Sequence, residues 1–97
     1  MRLKKEHIES IKNIAIDTFG NNVSIYLFGS RVDDSKKGGD IDLYLETDTK
    51  EELFEKKIAM LTNLKKAIGE QKIDLVINNF STEKFIFKVA KEEGILL

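Results

Sequence analysis

The segment that decides the fold is residues 23–45, which read VSIYLFGSRVDDSKKGGDIDLYL. Two apolar runs flank a polar loop that opens with Gly29 and Ser30 and closes with two glycines. The second run begins with Asp40 and Asp42, separated by one apolar residue. Side chains two residues apart on a strand point to the same face, so we expect these carboxylates to project side by side. Neighbouring acids repel each other, which predicts a cation between them, and an all-oxygen ligand set favours Mg²⁺ in company with a phosphate.

The length of the loop predicts how the two runs pair. Residues 23–28 and 41–46 are short apolar runs of strand type, bounded by turn residues. About ten residues connect them, which is short for a crossover containing a full helix, so we expect an antiparallel pair. The end of the first strand then meets the start of the second. The Gly-Ser pair and the two aspartates therefore come together at one edge of the sheet.

A third carboxylate comes from the next part of the chain. Residues 50–68 carry an apolar stripe at helical spacing, and residues 72–78 form another strand-like run. The second strand, this helix and the third strand make a β-α-β unit, which predicts that its two strands are parallel. Asp74 then lies near the start of the third strand, level with Asp42. Three strands thus bring their polar residues to the same edge.

The remaining segments complete a single α+β domain, a small mixed sheet with helices packed on it in the order α-β-β-α-β-α. Residues 3–19 predict an amphipathic helix that ends at Gly20. Residues 84–93 predict a last helix with Ser81 as its N-cap. Ser30 could likewise be the N-cap of a short helical turn in the loop.

Some apolar side chains near the C-terminus fit the predicted core poorly. Phe80 and Phe87 lie off the apolar stripe of the last helix, and residues 95–97 are all apolar. We expect either that residues 95–97 pack on the sheet or first helix, or that part of this apolar surface meets another protein. The core face predicted for the last helix consists of Phe85, Ile86, Val89 and Ala90.

Composition excludes several classes of function. The 97 residues are 41% hydrophobic and 34% charged, which is typical of a soluble globular protein. A net charge of −1 gives no basic field for nucleic acid, so no direct DNA binding is expected. The absence of cysteine excludes disulfides, thiol nucleophiles and zinc-thiolate sites. No apolar run reaches membrane-spanning length and no signal-peptide core is present, so we expect a cytoplasmic protein without membrane attachment. The only histidine, His7, is expected to be an exposed helix residue.

Common phosphate and metal motifs do not account for this pattern. No Gly-Lys-Ser/Thr follows the glycine as in a Walker A loop, and no dinucleotide-binding fingerprint is present. The spacing after Asp40 lacks the glycine and glutamate of an EF-hand. What remains is an apolar strand, Gly-Ser, a nine-residue loop, Asp-Ile-Asp, and a third aspartate on a later strand.

This combination resembles the nucleotidyltransferase superfamily of the DNA polymerase β type, whose signature has the same parts in the same order. The segments at residues 27–31 and 39–43, and the length of the chain, look most like the minimal nucleotidyltransferases, called MNT proteins. The resemblance covers nearly the whole chain, and residues 1–97 are expected to form one nucleotidyltransferase domain. The matching residues are Gly29, Ser30, Asp40, Asp42 and Asp74.

The resemblance implies the roles of these residues. Asp40, Asp42 and Asp74 would be the catalytic carboxylates and would hold two Mg²⁺ ions, with Asp74 nearest the attacking hydroxyl and able to accept its proton. Gly29 and Ser30 would bind the β- and γ-phosphates of ATP. Arg31 would contact the phosphates, or else have a plain structural role. The loop residues Lys36 and Lys37 are either further phosphate contacts or, more simply, solvated surface.

The resemblance also implies a partner. MNT proteins resemble the antitoxin halves of toxin–antitoxin pairs, in which AMP passes from ATP to a tyrosine of a HEPN-family toxin within a hetero-oligomer. The chain has little room for an acceptor-binding region of its own, so we expect a partner to supply the acceptor. Two alternatives stay open: a non-catalytic antitoxin that acts by complex formation, and a nucleotidyltransferase for a small molecule such as an aminoglycoside.

Overall fold

A computed structural model describes residues 1–33, 35 and 39–97, and its order of elements agrees with the predicted α+β fold. A 3-10 turn at Gly29–Val32 follows the first strand, and a short strand is added at the C-terminus. The helices and strands are α1 (Lys5–Phe19), β1 (Val23–Phe28), β2 (Ile41–Thr47), α2 (Leu53–Ile68), β3 (Ile73–Asn78), α3 (Phe85–Glu93) and β4 (Ile95–Leu96).

The four strands form one mixed sheet in the order β3-β2-β1-β4. β1 and β2 are antiparallel, with Phe28 opposite Asp42, which confirms the pairing expected from the short loop. β2 and β3 are parallel, with Asp42 opposite Asp74, which confirms the pairing expected for the β-α-β unit. The central strand β2 is therefore paired along both edges, and its register fixes that of its neighbours.

One face of the sheet carries the main core. Alternate residues of the strands, such as Leu27, Leu43 and Leu75, point to this face and are buried. α1 and α2 cover it, although Ile58 and Phe54, which the sequence predicted to belong to the apolar stripe of α2, are 48% and 70% exposed. The helix residues buried there are Ile11, Ala15, Phe19, Met60, Leu64 and Ile68.

The opposite face carries a smaller cluster under α3. The Tyr44 ring is buried between Tyr26 and Phe87, with ring centroids 5.7 and 5.8 Å apart respectively. Ala90 lies against the same cluster, and a side chain on Gly94 would collide with backbone atoms of Ala90 and Leu27. Small residues at these two positions let α3 approach the sheet closely.

This close approach corrects the core face predicted for α3. Phe87, which was expected to lie outside the stripe, is buried, whereas Phe85 is 81% exposed and Ile86 is 40% exposed. The helix carries two apolar stripes, and the one that contains Ala90 and Phe87 faces the sheet because it can pack most closely. Phe80 is exposed, as expected.

The ends of several elements also differ from the prediction. α2 begins at Leu53 rather than at residue 50, because β2 runs to Thr47 and Glu52 adopts a left-handed conformation as N-cap. Ser81 does not cap α3, whose N-cap is Lys84, and Ser30 lies inside the 3-10 turn, whose N-cap is Phe28.

The C-terminal residues extend the sheet. Ile95 and Leu96 form β4, antiparallel to β1, and the backbone N–H of Leu97 donates to the carbonyl of Ile25 at 2.8 Å. The prediction that these residues pack on the sheet is met by backbone pairing, while Leu96 remains 62% exposed. No helix in the described ranges is sufficiently long and apolar to span a bilayer.

The two faces of the sheet allow a matched test of this packing. Leu43 is fully buried under α1 and α2, so Leu43→Ala should lower the free energy of unfolding by about 2–5 kcal/mol. The same substitution at the exposed Leu96 should cost less than about 1 kcal/mol. Urea denaturation followed by circular dichroism measures both. Equal losses would contradict the assignment of the main core.

Candidate active site

Asp42 and Asp74 form the centre of the candidate site. Both lie at the second position of neighbouring parallel strands and are directly opposite each other in the register. Their apolar neighbours Ile41, Leu43 and Ile73 point to the core face and are buried, which turns both carboxylates to the opposite face. The burial of those apolar side chains thus fixes the position of the acidic pair.

Gly29 lies directly against the Asp42 carboxylate. Its φ of +79° is a conformation that residues with side chains rarely adopt. A Cβ atom built on Gly29 would also overlap Oδ2 of Asp42. The glycine at the end of β1 is therefore required twice, for the left-handed backbone and for the space that the carboxylate occupies.

The Asp42 carboxyl has a raised pKa in this arrangement. Burial raises the pKa of its carboxyl above 3.8, and the charge of Asp74 and a hydrogen bond donated by protonated Asp42 to Asp74 raise it further. Asp40 acts in the same direction, while the nearby Lys72 lowers the pKa. The site is thus a concentration of negative charge that a bound cation would stabilise.

Asp40 belongs to the same edge but has a different partner. It immediately precedes β2, where the backbone N–H of Ile41 donates to the carbonyl of Lys72 at 3.0 Å. Oδ2 of Asp40 lies 3.5 Å from Nζ of Lys72. The carboxylate expected beside Asp42 therefore contacts the lysine that immediately precedes β3.

The donor set fits a hard divalent cation. Three carboxylates, two of them adjacent, supply the oxygen ligands that Mg²⁺ prefers. Among the described residues, no three histidine or acidic side chains stand as a group that could hold a metal ion. Of the three predicted ligands, Asp42 and Asp74 lie opposite each other, whereas Oδ2 of Asp40 is paired with Lys72.

Comparison with known families agrees with this geometry. The profile of the family described as "Polymerase beta, Nucleotidyltransferase" matches residues 9–97. The chain belongs to this nucleotidyltransferase family. The match includes β2 and β3, which carry the acidic pair, and the Gly-Ser turn that follows β1. A search of curated proteins found no match.

The other predicted nucleotide-binding residues of this nucleotidyltransferase flank the acidic pair. Ser30 follows Gly29 in the 3-10 turn. Its hydroxyl lies so close to Gly39 that a Cβ atom built on Gly39 would overlap it. Arg31 makes three hydrogen bonds: its guanidinium donates to the carbonyl of Arg2 at 3.0 Å, to Oε1 of Gln71 at 3.0 Å and to the carbonyl of Gly39 at 3.3 Å. These bonds give Arg31 the structural role considered above, and its contact with phosphate stays a prediction. Lys36 and Lys37 lie outside the described residues.

Sequence reasoning missed two basic residues at this edge. Arg2 donates to the carbonyls of Ser30 and Asp33, each at 3.2 Å, and so ties the N-terminal segment to the turn. No periodicity in the sequence signals that contact. Lys72 was more accessible to prediction, because it precedes Asp74 by two residues and so shares its face on the predicted strand.

A cavity of the nucleotidyltransferase lies elsewhere on the same face of the sheet. It has a volume of about 740 Å³ and is lined by Glu46, Asn78 and the exposed rings of Phe80 and Phe85, among others. On the strands this is four residues, or roughly 13 Å, from the acidic pair. At its floor the Tyr44 hydroxyl donates to Glu46 and accepts from Asn78, both at 2.9 Å.

The raised pKa of Asp42 makes a prediction about stability. The folded metal-free protein binds this proton more tightly than the unfolded chain, so ionised Asp42 destabilises the fold above its folded pKa. Asp42→Asn should therefore raise Tm by about 2–4 °C near neutral pH, which corresponds to about 0.5 kcal/mol of screened repulsion. The gain should shrink as the pH falls through the raised pKa of folded Asp42, because the carboxyl becomes neutral there, and it should be absent below the ordinary value of 3.8.

Thermal melts in a chelator, recorded across this pH range, make the comparison. Asp17→Asn, on the exposed face of α1, is the charge-matched control and should leave Tm nearly unchanged. A loss of stability in Asp42→Asn at neutral pH, or a gain that does not depend on pH, would contradict the assigned repulsion.

Proposed function

We propose that this protein is a Mg²⁺-dependent adenylyltransferase that moves AMP from ATP to a tyrosine hydroxyl of a HEPN-family toxin and thereby neutralises it. The observation that carries the catalytic half of the proposal is the Asp42–Asp74 pair, fixed in register on parallel strands and packed against Gly29. A fold that keeps two carboxylates in contact loses stability unless a cation relieves them. Membership of the nucleotidyltransferase family supports the class of reaction.

The carboxylates would hold the metal. Asp40, Asp42 and Asp74 form an all-oxygen ligand set, and two bound Mg²⁺ ions would supply positive charge to the entering and leaving oxygens of a phosphoryl transfer. Asp74 is the most open of the acidic pair, being exposed where Asp42 is half-buried. It is therefore the carboxylate to which an acceptor hydroxyl has access.

The proposed reaction transfers one adenylyl group. The tyrosine oxygen forms a bond to the α-phosphorus of ATP as the bond from that phosphorus to the bridging oxygen of pyrophosphate breaks. Asp74 accepts the proton of the hydroxyl, and pyrophosphate leaves with the electron pair of the broken bond. The chain's part in this step is to align the hydroxyl, the α-phosphate and the leaving group in one geometry.

The turn after β1 would bind the phosphates that leave. Gly29 has no side chain, so phosphate oxygens can approach the backbone N–H groups of Gly29 and Ser30 closely. The Ser30 hydroxyl would supply a further donor. Arg31 would contribute positive charge to this turn from its present position.

The acceptor half of the proposal rests on the apolar surface of the chain. Phe80 and Phe85 are 64% and 81% exposed and border a cavity on the same sheet face as the acidic pair. Exposed aromatic side chains of this kind are typical of protein interfaces. They support a protein as the acceptor, in a cytoplasmic hetero-oligomer of this chain and its toxin.

The test is a co-expression experiment with the protein encoded beside this gene. Intact mass of the neighbour should increase by one or more adenylyl groups with the wild-type chain and stay unchanged with Asp42→Asn. Asp17→Asn is the control for loss of a carboxylate far from the site and should modify the neighbour normally. Modification that persists with Asp42→Asn would overturn the site assignment.

A non-catalytic antitoxin is the second candidate, and the exposed Phe80 and Phe85 favour it equally. In that case Asp42→Asn would bind and neutralise an unmodified toxin as well as the wild type does. If the neighbour is neither modified nor bound, transfer to a small molecule becomes the better account.

A glycine pair tests the role assigned to Gly29. Gly29→Ala should reduce adenylyl transfer by about 100-fold, because the added methyl group displaces the Asp42 carboxylate. Gly20→Ala imposes similar backbone strain at φ +92°, but nothing lies within 4 Å of its added Cβ, so transfer should be nearly normal. Rates measured with purified, folded variants decide the matter. Equal rates in the two variants would show that Gly29 serves only the backbone.

A further inference from the structure

We propose that Lys72 regulates metal loading of this site by holding Asp40 in an ion pair that a divalent cation must break. The inference rests on the proposed function in one respect, that Asp40, Asp42 and Asp74 bind metal together. It adds a positioning residue that competes with the metal for one of its ligands.

The backbone keeps Lys72 at the site. Its carbonyl accepts from the N–H of Ile41 at 3.0 Å, which anchors the residue beside the start of β2. It also precedes Asp74 by two residues, so the two side chains lie on the same face of the extended backbone. Lys72 is thus held next to Asp40 and Asp74 by the same register that pairs the two strands.

The side chain contacts one predicted ligand and acts on another. Nζ of Lys72 lies 3.5 Å from Oδ2 of Asp40. Its positive charge also lowers the pKa of Asp42, against the effect of the neighbouring acids. The ammonium group therefore supplies part of the positive charge that this cluster requires.

The contact with Lys72 distinguishes Asp40 from the other two carboxylates of the predicted ligand set. Across the described residues no three acidic side chains are arranged to hold an ion, and Asp40 is the member of the triad that is paired with a lysine. For Oδ2 of Asp40 to become a ligand beside Asp42 and Asp74, its contact with Lys72 must be exchanged for one with the metal. Lys72 and the cation cannot both occupy that position of Asp40.

The ion pair between Lys72 and Asp40 is weak enough for a divalent cation to replace it. The Lys72 side chain is 73% exposed and that of Asp40 is 41% exposed, and an ion pair so accessible to water is weak. A divalent cation carries twice the charge and can therefore displace it. We expect Lys72 to weaken metal binding by about threefold to tenfold, which is the size of effect that one charge at this range has in water.

Mn²⁺ binding to the purified full chain, measured by electron paramagnetic resonance of the free ion, tests the inference without any assay of transfer. Lys72→Gln should bind Mn²⁺ about threefold to tenfold more tightly than the wild type. Lys72→Arg, which keeps the charge, should resemble the wild type. Lys56→Gln removes a charge from the first turn of α2, at the other end of the sheet, and should leave the dissociation constant unchanged.

A double-mutant cycle tests whether Lys72 acts through Asp40. In an Asp40→Asn background the tightening caused by Lys72→Gln should largely disappear, because the ligand that the lysine holds is gone. A general effect of charge would persist in that background and would overturn the ion-pair mechanism. Wild-type affinity or weaker binding in Lys72→Gln would overturn the inference outright, as would equal tightening in Lys56→Gln.

Asp42→Asn separates this inference from the proposed function. Loss of Mn²⁺ binding in that variant supports the metal site, whatever Lys72 does. Unchanged Mn²⁺ binding in Asp42→Asn would reject the proposed metal site, and the role of Lys72 with it. Tight binding that depends on Asp42 but not on Lys72 would reject the inference and leave the proposed function intact.

Discussion

The register between β2 and β3 is the constraint on which the rest of the site depends. It sets Asp42 opposite Asp74, and a slip of one residue would send one carboxylate into the core and an apolar side chain out of it. Burial of Leu43, Leu45 and Leu75 on the other face opposes that slip strongly. The hydrophobic core therefore enforces a contact between two acids that the acids alone would not make.

The two faces of the sheet differ in how far the helices cover them. α1 and α2 close one face completely, whereas α3 covers only the middle and far parts of the other, above Tyr44. The beginnings of β2 and β3 stay open there, which leaves Asp74 exposed. Ala90 and Gly94 bring α3 down onto β1 and β2. The small residues of α3 thus contribute to the shape of the open site, although they touch none of its carboxylates.

The first three strands, their directions and the meeting of the Gly-Ser turn with Asp42 could be predicted from the sequence, because alternation, loop length and the β-α-β rule are local or topological signals. The short strand β4 was not predicted. The predicted core face of α3 was wrong at Phe85 and Ile86, because the sequence gives this helix two apolar stripes. Only the packing of Ala90 against the sheet distinguishes between them. The contacts of Arg31 with Arg2 and Gln71 could not be predicted either, since both residues are distant from it in the chain. Periodicity carries no information about such contacts.

Arg31 and Lys72, two of the basic residues beside the acidic edge, differ in how firmly their side chains are held. The Arg31 guanidinium is fixed by three hydrogen bonds to other parts of the chain, so moving it would break all three. Lys72 has one long contact with an exposed carboxylate and can leave it at little cost. The proposed site would accept and release cations and phosphates, and it would therefore require some charge that can move. Arg31 is therefore suited to hold the turn in shape, and Lys72 is suited to respond to what binds.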